Sequence, residues 1–280
     1  MNSILVLQSD FGLEDGAVAA MYGVALEVDP ALRLFDLTHG ITPYNIWEAS
    51  YRLFQTVQFW PKKTVFVSVV DPGVGSARKS VVARTDKGQY IVTPDNGTLT
   101  HLKLYEGISE VRQIDAPRHM RGGTGESYTF HGRDLYACVG AKLASGAIGF
   151  EDVGPALTAR DIVELPVGEV LCSAGRVRGS IDILDVRFGS LWTNITKAQF
   201  DTLGISFGER LEVRIVRGGT TVYNNRVTYG RSFADVSQSE TIIYTNSLYR
   251  MALAINQGNF AKAYSVGTGL EWGIEFIKPD

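Results

Sequence analysis

The 280-residue chain is poor in the residues that mark specialised classes of protein. It has two cysteines, Cys138 and Cys172, far apart in the sequence. That count excludes a disulfide framework and points to free thiols in a reducing compartment. The four histidines, His39, His101, His119 and His131, show no ligand spacing with one another or with a cysteine pair, which argues against a zinc site. No run of about 18 apolar residues exists, so nothing reads as a membrane span. Lys and Arg total 27 against 30 Asp and Glu, a net charge of −3, with no basic run and no RNA- or DNA-reading motif. Neither nucleic acid nor an anionic membrane is expected as a partner. The N-terminus leads into the apolar run Ile4-Leu5-Val6-Leu7 with no basic segment or cleavage site, which gives a cytoplasmic expectation. There is no internal repeat and no low-complexity tract.

What is present is organised around Thr64 to Arg78, TVFVSVVDPGVGSAR. Val65 to Val70 is a short, nearly all-apolar run rich in β-branched residues, which reads as a strand buried on both faces. It stops at Asp71-Pro72-Gly73, a turn signal. Open α/β sheets bind ligands beyond the carboxyl ends of their strands, where Asp71 falls. A glycine-rich loop then allows Arg78 to fold back on Asp71. A structural ion pair closing a turn is the plainer reading of the same residues.

The first strand likewise runs into Ser9-Asp10-Phe11-Gly12. A helix follows with Val18, Met21, Tyr22, Ala25 and Val28 on one face, then a strand over Leu32 to Leu37 and a helix over Asn45 to Phe59. Ser80 to Arg84 and Gln89 to Thr93 read as strands joined by the turn Thr85 to Gly88. A short helix is expected after Pro94 to Gly97, a strand at Val111 to Ile114 and a loop at Arg121 to Gly125. Thr129 to Asp134 opens another helix, putting His131 and Gly132 at an end suited to an anion or to a plain polar cap. Gly154 to Pro166 reads as a linker. Beyond it come the strand-like runs Arg176 to Leu184, Leu191 to Ile195, Leu211 to Val216, Thr221 to Val227 and Thr241 to Tyr244, with one helix at Lys197 to Thr202. The expected architecture is an α/β N-terminal domain (1–160) with a mostly parallel sheet flanked by helices, and a smaller antiparallel β-rich C-terminal domain (167–280).

Six stretches, in order and spread over nearly the whole chain, carry a family resemblance: SDFG (9–12), DPGVGSAR (71–78), TPDNG (93–97), FHGRD (130–134), DVRFGSLWTNI (185–195), and TNS with INQGN (245–259). The chain resembles the S-adenosyl-L-methionine hydroxide adenosyltransferases, relatives of the fluorinase and chlorinase enzymes. The resemblance implies attack of a water-derived hydroxide on C5′ of S-adenosylmethionine, releasing adenosine and L-methionine. It implies no cofactor, since S-adenosylmethionine is the substrate, and no metal. It implies a homotrimer with sites formed between the N-terminal domain of one subunit and the C-terminal domain of its neighbour. The family's Asp, Arg and His triad falls on Asp71, Arg78 and His131. The ribose-binding aspartate falls on Asp10, and Tyr44 falls where the fluorinase has a tryptophan against the substrate. Asp185 matches the residue at the methionine ammonium, and Ser247 one at its carboxylate. Ser190 and Phe233 fall at adenine, and Gln257 lies in the INQGN segment counted with the substrate contacts.

The chain also departs from the halogenases. Their halide-binding serine corresponds to Gly132, their inserted loop is replaced by the turn Thr85 to Gly88, and their carboxylate-binding arginine corresponds to Leu248. The first two favour hydroxide over halide; the third leaves the carboxylate without its usual partner. A chlorinase-like halogenase and a non-catalytic binder of S-adenosylmethionine or adenosine are the competing readings. A methyltransferase fits poorly, because SDFGLEDG lacks the G-x-G pattern after the first strand.

The residue types suit hydroxide transfer. A neutral thioether leaves a sulfonium, so no general acid is needed; the demand is to deprotonate water. Arg78 and the helix start near Gly132 can stabilise developing hydroxide. Asp71, beside an arginine, is expected to have a depressed pKa and to be a poor base alone, so it would orient Arg78 and the water. His131 is the expected base. Asp10 reads as a ribose ligand or a helix cap, a role that Asp15 can take instead. Without the resemblance, Tyr44, Trp192 and Phe233 read as core.

Overall fold

The computed structural model describes residues 3–123 and 129–279. The chain divides into two compact units, Met1–Leu165 and Pro166–Asp280.

In the first unit β1 (Ile4–Ser9), α1 (Ala17–Val28), β2 (Arg33–Thr38), α2 (Ile46–Val57) and β3 (Val65–Val69) alternate. They are followed by β4 (Ser80–Thr85), β5 (Tyr90–Pro94), α3 (Thr100–Tyr105), β6 (Ile108–Gln113) and α4 (Ala116–His119). A π-helical turn at Gly132–Ala137 then runs into α5 (Cys138–Ser145), and β7 (Ala156–Leu157) ends the unit. The strand order is β2-β1-β3-β5-β4-β6-β7. β2, β1, β3 and β5 are parallel, and β4, β6 and β7 extend the sheet antiparallel. Every residue of β1 and β3 is buried, in keeping with their mainly apolar runs, the polar Gln8, Ser9 and Ser68 included. α1 buries Val18, Met21, Val24 and Ala25 against this sheet's core. α2 starts where Asn45 accepts from the Glu48 amide at 3.0 Å.

The expected linker contributes a strand: Ala156 and Leu157 pair with Arg112 and Val111. Two residues are too few for a period to show in the sequence. The stretch expected as a loop from Arg121 is turn structure as far as Gly123; Thr124 and Gly125 lie outside the described residues.

The second unit contains β8 (Leu171–Ser173), β9 (Arg176–Leu184), β10 (Leu191–Thr196), α6 (Lys197–Asp201), β11 (Arg210–Arg217), β12 (Thr220–Tyr229), β13 (Thr241–Thr245), β14 (Arg250–Ile255), α7 (Phe260–Tyr264) and β15 (Gly269–Ile277). The order β10-β14-β13-β12-β11-β15-β9 closes on itself because β9 also pairs with β10, so the sheet is barrel-like. β8 shares an edge of β9 with β10. All pairings are antiparallel except β12 with β13. Val177, Ile181, Leu211, Val213, Ile215 and Leu253 belong to its core, with Phe200 of α6 packed on Phe276. β8, β14, α7 and β15 were not expected from the sequence. β14 is buried almost throughout and lacks alternation, and two glycines interrupt β15.

Cys138 and Cys172 are both free thiols. Among the described residues no helix is long and apolar enough to cross a membrane.

Candidate active site

β1 and β3 are parallel neighbours with Ser9 opposite Val69, so the residues leaving their carboxyl ends emerge side by side. Asp10 follows β1 directly, and Asp71 follows β3 after Val70. Between them lies a cavity of about 390 Å³ lined by Asp10, Phe11, Tyr44, Asp71, His131 and Gly132, among others. Five of the eleven residues singled out in the sequence thus meet in one place.

Arg78 returns to Asp71 through the glycine-rich loop. Its Nη2 donates to Asp71 Oδ2, and its Nη1 donates to the Lys79 carbonyl at 2.9 Å and to the Tyr136 hydroxyl at 3.0 Å. Ser80 Oγ lies 2.8 Å from that hydroxyl. The guanidinium is therefore fixed from two sides. Three buried side-chain atoms of this cluster have no hydrogen-bond partner among the described residues: Asp71 Oδ1, Arg78 Nε and His131 Nε2. Buried polar atoms are normally satisfied, so three in one cluster mark a place for a polar ligand. They comprise an acceptor, a donor and a ring nitrogen that can be either.

The expectation of a depressed Asp71 pKa is corrected. Burial pushes the carboxyl above its usual range, and the Arg78 charge, the Gly73 amide and His131 pull it down without overcoming burial. The adjacent arginine is visible in the sequence, whereas the burial of the Asp71 side chain, only 5% exposed, is a property of the fold.

Asp10 is not a helix cap. Its Oδ2 accepts from the Tyr44 amide at 2.8 Å, while Asp15 accepts from the Ala17 amide at 2.8 Å at the start of α1. Tyr44 holds a left-handed φ of 68°, an uncommon conformation for a residue with a side chain, and its ring is exposed. His131 makes no capping hydrogen bond at the helix start. The π-turn that begins at Gly132 widens the helix where it meets the cavity, a local form frequent at functional sites.

Beneath Asp10 runs a chain of side chains that the sequence reading missed. Ser9 Oγ is 2.7 Å from His39 Nδ1, and His39 Nε2 is 3.0 Å from Asp36 Oδ1. Tyr22 also donates to Asp36. A carboxylate only accepts, so Nε2 donates to Asp36. The Phe11 amide donates to Ser9 Oγ at 3.2 Å, and the Gly12 amide to the His39 carbonyl at 2.9 Å. His39 thus holds both sides of the turn carrying Asp10.

In the second unit a cavity of about 870 Å³ is lined by Asp185, Arg187, Ser190, Phe233, Tyr244 and Gln257, among others. The β9–β10 turn is closed by the Asp185 amide donating to the Ser190 carbonyl at 2.9 Å. Asp185 Oδ1 accepts from the Arg187 and Phe188 amides at 3.1 and 3.3 Å. Gly189 sits in this turn at φ 66°, where a Cβ would lie 2.0 Å from Asn259 Oδ1, so a side chain there would be strained and would displace Asn259. Phe233 packs on Tyr244 with ring centroids 5.0 Å apart, and Asn256 Nδ2 donates to its carbonyl at 3.0 Å. Burial pushes the Tyr244 hydroxyl pKa up, with the neighbouring polar groups of Ser190 and Trp192 opposing it.

Phe233 and Tyr44 are exposed, whereas Trp192 is buried in the barrel wall. Ser247 lies exposed in the β13–β14 turn with Leu248 beside it, and neither is among the residues lining the cavity. Tyr136, His39 and Arg187 were not picked out from the sequence. Only Arg187 carried a local signal, by its place within the DVRFGS stretch.

Among the described residues no group of three or more His, Cys, Asp or Glu side chains is placed to hold a metal ion.

Two family models match the chain. The SAM hydroxide adenosyltransferase N-terminal domain covers residues 5–154, and the corresponding C-terminal domain covers residues 179–273. The chain is 33% identical over 262 residues to an (R)-S-adenosyl-L-methionine hydrolase of Salinispora tropica, covering 93% of each protein. It is 29% identical over 293 residues to a fluorinase of Actinoplanes sp., covering 96% of each. The crystal structure of an uncharacterized conserved protein from Thermotoga maritima superposes with a TM-score of 0.89 at 32% identity, over 98% of this chain and 100% of that one.

Proposed function

Because the chain belongs to the SAM hydroxide adenosyltransferase family, we propose that it hydrolyses S-adenosyl-L-methionine to adenosine and L-methionine, with water-derived hydroxide attacking C5′. The observation that carries this reading is that Asp71 Oδ1, Arg78 Nε and His131 Nε2 are buried with no hydrogen-bond partner among the described residues, where Asp71 pairs with Arg78 and lines one cavity with His131. Together they match the needs of one water molecule. Arg78 Nε donates to the oxygen and stabilises negative charge as it develops. His131 Nε2 takes the proton. Asp71, tied to Arg78 through Oδ2 and made more basic by burial, accepts the second hydrogen at Oδ1 and orients the oxygen. The C5′–S bond breaks as the C5′–O bond forms, and the sulfonium leaves as a neutral thioether. Opposite charges cancel in this step, so exclusion of bulk water favours it.

Asp10 accepts from the ribose hydroxyls, and Tyr44 covers the sugar. Ser190, Phe233 and Gln257 contact the nucleoside, Asp185 the α-ammonium and Ser247 the carboxylate. We assign residues 1–160 the chemistry and the ribose, and residues 167–280 the adenine and methionine contacts. The proposed assembly is a homotrimer in which neighbouring subunits share each substrate. The reaction needs no metal or other cofactor, and the compartment is the cytoplasm.

The halogenase reading is disfavoured at Gly132. A Cβ there would lie 3.0 Å from the Phe11 ring and 3.2 Å from Phe130, leaving a serine no room without ring movement.

The test is product analysis after incubation with the (R) and (S) sulfonium epimers, with and without chloride and with and without a chelator. The expected result is adenosine plus methionine in every chloride and chelator condition, from at least one epimer. A chlorinated nucleoside would replace the proposal with halogenation. Binding without product would replace it with a non-catalytic role.

A further inference from the structure

Resting on the proposed reading, we propose that Arg187 binds the α-carboxylate of the substrate's amino-acid arm. Among the residues lining the 870 Å³ cavity only Asp185 and Arg187 carry charge, one of each sign, two positions apart on the same turn. The remaining lining is neutral, with Phe188, Phe233, Tyr244 and Ile255 providing apolar surface. An α-amino acid offers one ammonium and one carboxylate on a single carbon, and a closely spaced acid and base on a fixed turn complement it.

The turn is built to present these groups. Its ends are joined by the Asp185–Ser190 backbone hydrogen bond, and Gly189 holds a left-handed φ where a side chain would displace Asn259. Two backbone amides hold Asp185 Oδ1 and fix the carboxylate on the turn. Arg187, by contrast, is exposed and takes part in no ion pair among the described residues. Most arginines of this unit with a role in the fold are engaged: Arg214 pairs with Glu275, Arg217 with Glu271, and Arg250 donates to the Asn194 carbonyl. Arg187 therefore has the charge, the place and the freedom to receive a carboxylate, and its planar fork suits one.

The assignment also accounts for Leu248. That side chain offers no hydrogen-bond donor and does not line the cavity. A guanidinium from the β9–β10 turn supplies the charge that is missing from the β13–β14 turn.

The test compares binding of two unreactive ligands by calorimetry: S-adenosylhomocysteine and its decarboxylated analogue, which keeps the ammonium. Wild type, Arg187→Ala and Arg187→Lys are measured, alongside adenosine release from S-adenosylmethionine. A hydrogen bond to a charged group is worth roughly 1.5–3 kcal/mol, so Arg187→Ala should weaken S-adenosylhomocysteine about 10- to 100-fold. The decarboxylated analogue should change less than about twofold, and Arg187→Lys should recover part of the loss, because it restores charge without the fork. Equal weakening of both ligands, or of neither, overturns the role of Arg187. If wild type releases adenosine while Arg187→Ala fails to discriminate, only this inference falls. If wild type binds neither ligand, the proposed function falls with it.

Discussion

The two cavities are built on opposite plans. The one in the first unit is small and set against buried polar atoms: Asp71, Arg78 and His131 each keep one unsatisfied, in a frame fixed by Tyr136 and Ser80. The one in the second unit is larger, walled by aromatic and amide side chains, with one acid and one base on an exposed turn. Unsatisfied buried polar groups are costly and persist where something polar is to be handled. Neutral walls with a few placed charges suit recognition. Each folding unit has its own core and its own cavity, and the proposed function divides reactivity and recognition between them.

Both units hold a carboxyl whose pKa burial has raised, and the contrast teaches the same lesson. Asp71 faces a cavity. Asp182 is buried in β9, accepts from Ser180 Oγ at 2.9 Å, lines none of the cavities described above, and is pushed up to about 6. A raised pKa alone therefore does not identify a catalytic group; access and partners decide.

The division can be broken most strongly at the triad. Arg78→Ala and His131→Ala should each lower adenosine release at least about 100-fold while leaving S-adenosylhomocysteine affinity within about threefold. Single-turnover rates and calorimetry on the same samples check this, and parallel loss of rate and affinity would show that the first cavity serves binding.

The next effect concerns stability. The folded value of Asp182 lies above its unfolded value of 3.8, so its contribution is full below about pH 4 and is lost as pH rises through about 6. Asp182→Asn removes the ionisation. The stability of the variant relative to wild type should therefore rise by about 3 kcal/mol between pH 4 and pH 7, read from urea unfolding at each pH. A pH-independent difference would mean that folding does not raise the Asp182 pKa.

The smallest effect tests whether recognition also reaches into the first unit. His39→Ala should free the turn carrying Asp10 and weaken adenosine binding about fivefold, the equivalent of one hydrogen bond. 2′-Deoxyadenosine, with one fewer hydroxyl for Asp10, should lose less. Equal losses for the two nucleosides would make His39 a purely structural residue.

Much of this was legible in the sequence. The β3 run stands out by composition, and the rule that ligands bind at the carboxyl ends of parallel strands singled out Asp10 and Asp71 before any coordinates. The family resemblance added roles for Arg78, His131, Asp185, Ser190 and Phe233. What could not be read depends on distance along the chain. Tyr136 meets Arg78 across 58 residues and His39 meets Ser9 across 30, and no local period encodes either contact. The Asp71 pKa went the other way because burial is a property of the packed sheet, whereas the neighbouring arginine is visible in the sequence. Without the resemblance all three aromatic residues read as core, which holds for Trp192, whereas Phe233 and Tyr44 are exposed.

The most direct test of the central claim is turnover of S-adenosylmethionine in 18O-labelled water, read by mass spectrometry of the nucleoside. The account predicts adenosine carrying one 18O at its 5′-hydroxyl, with unlabelled methionine. Unlabelled adenosine, or label in the methionine carboxylate, would contradict attack of water at C5′.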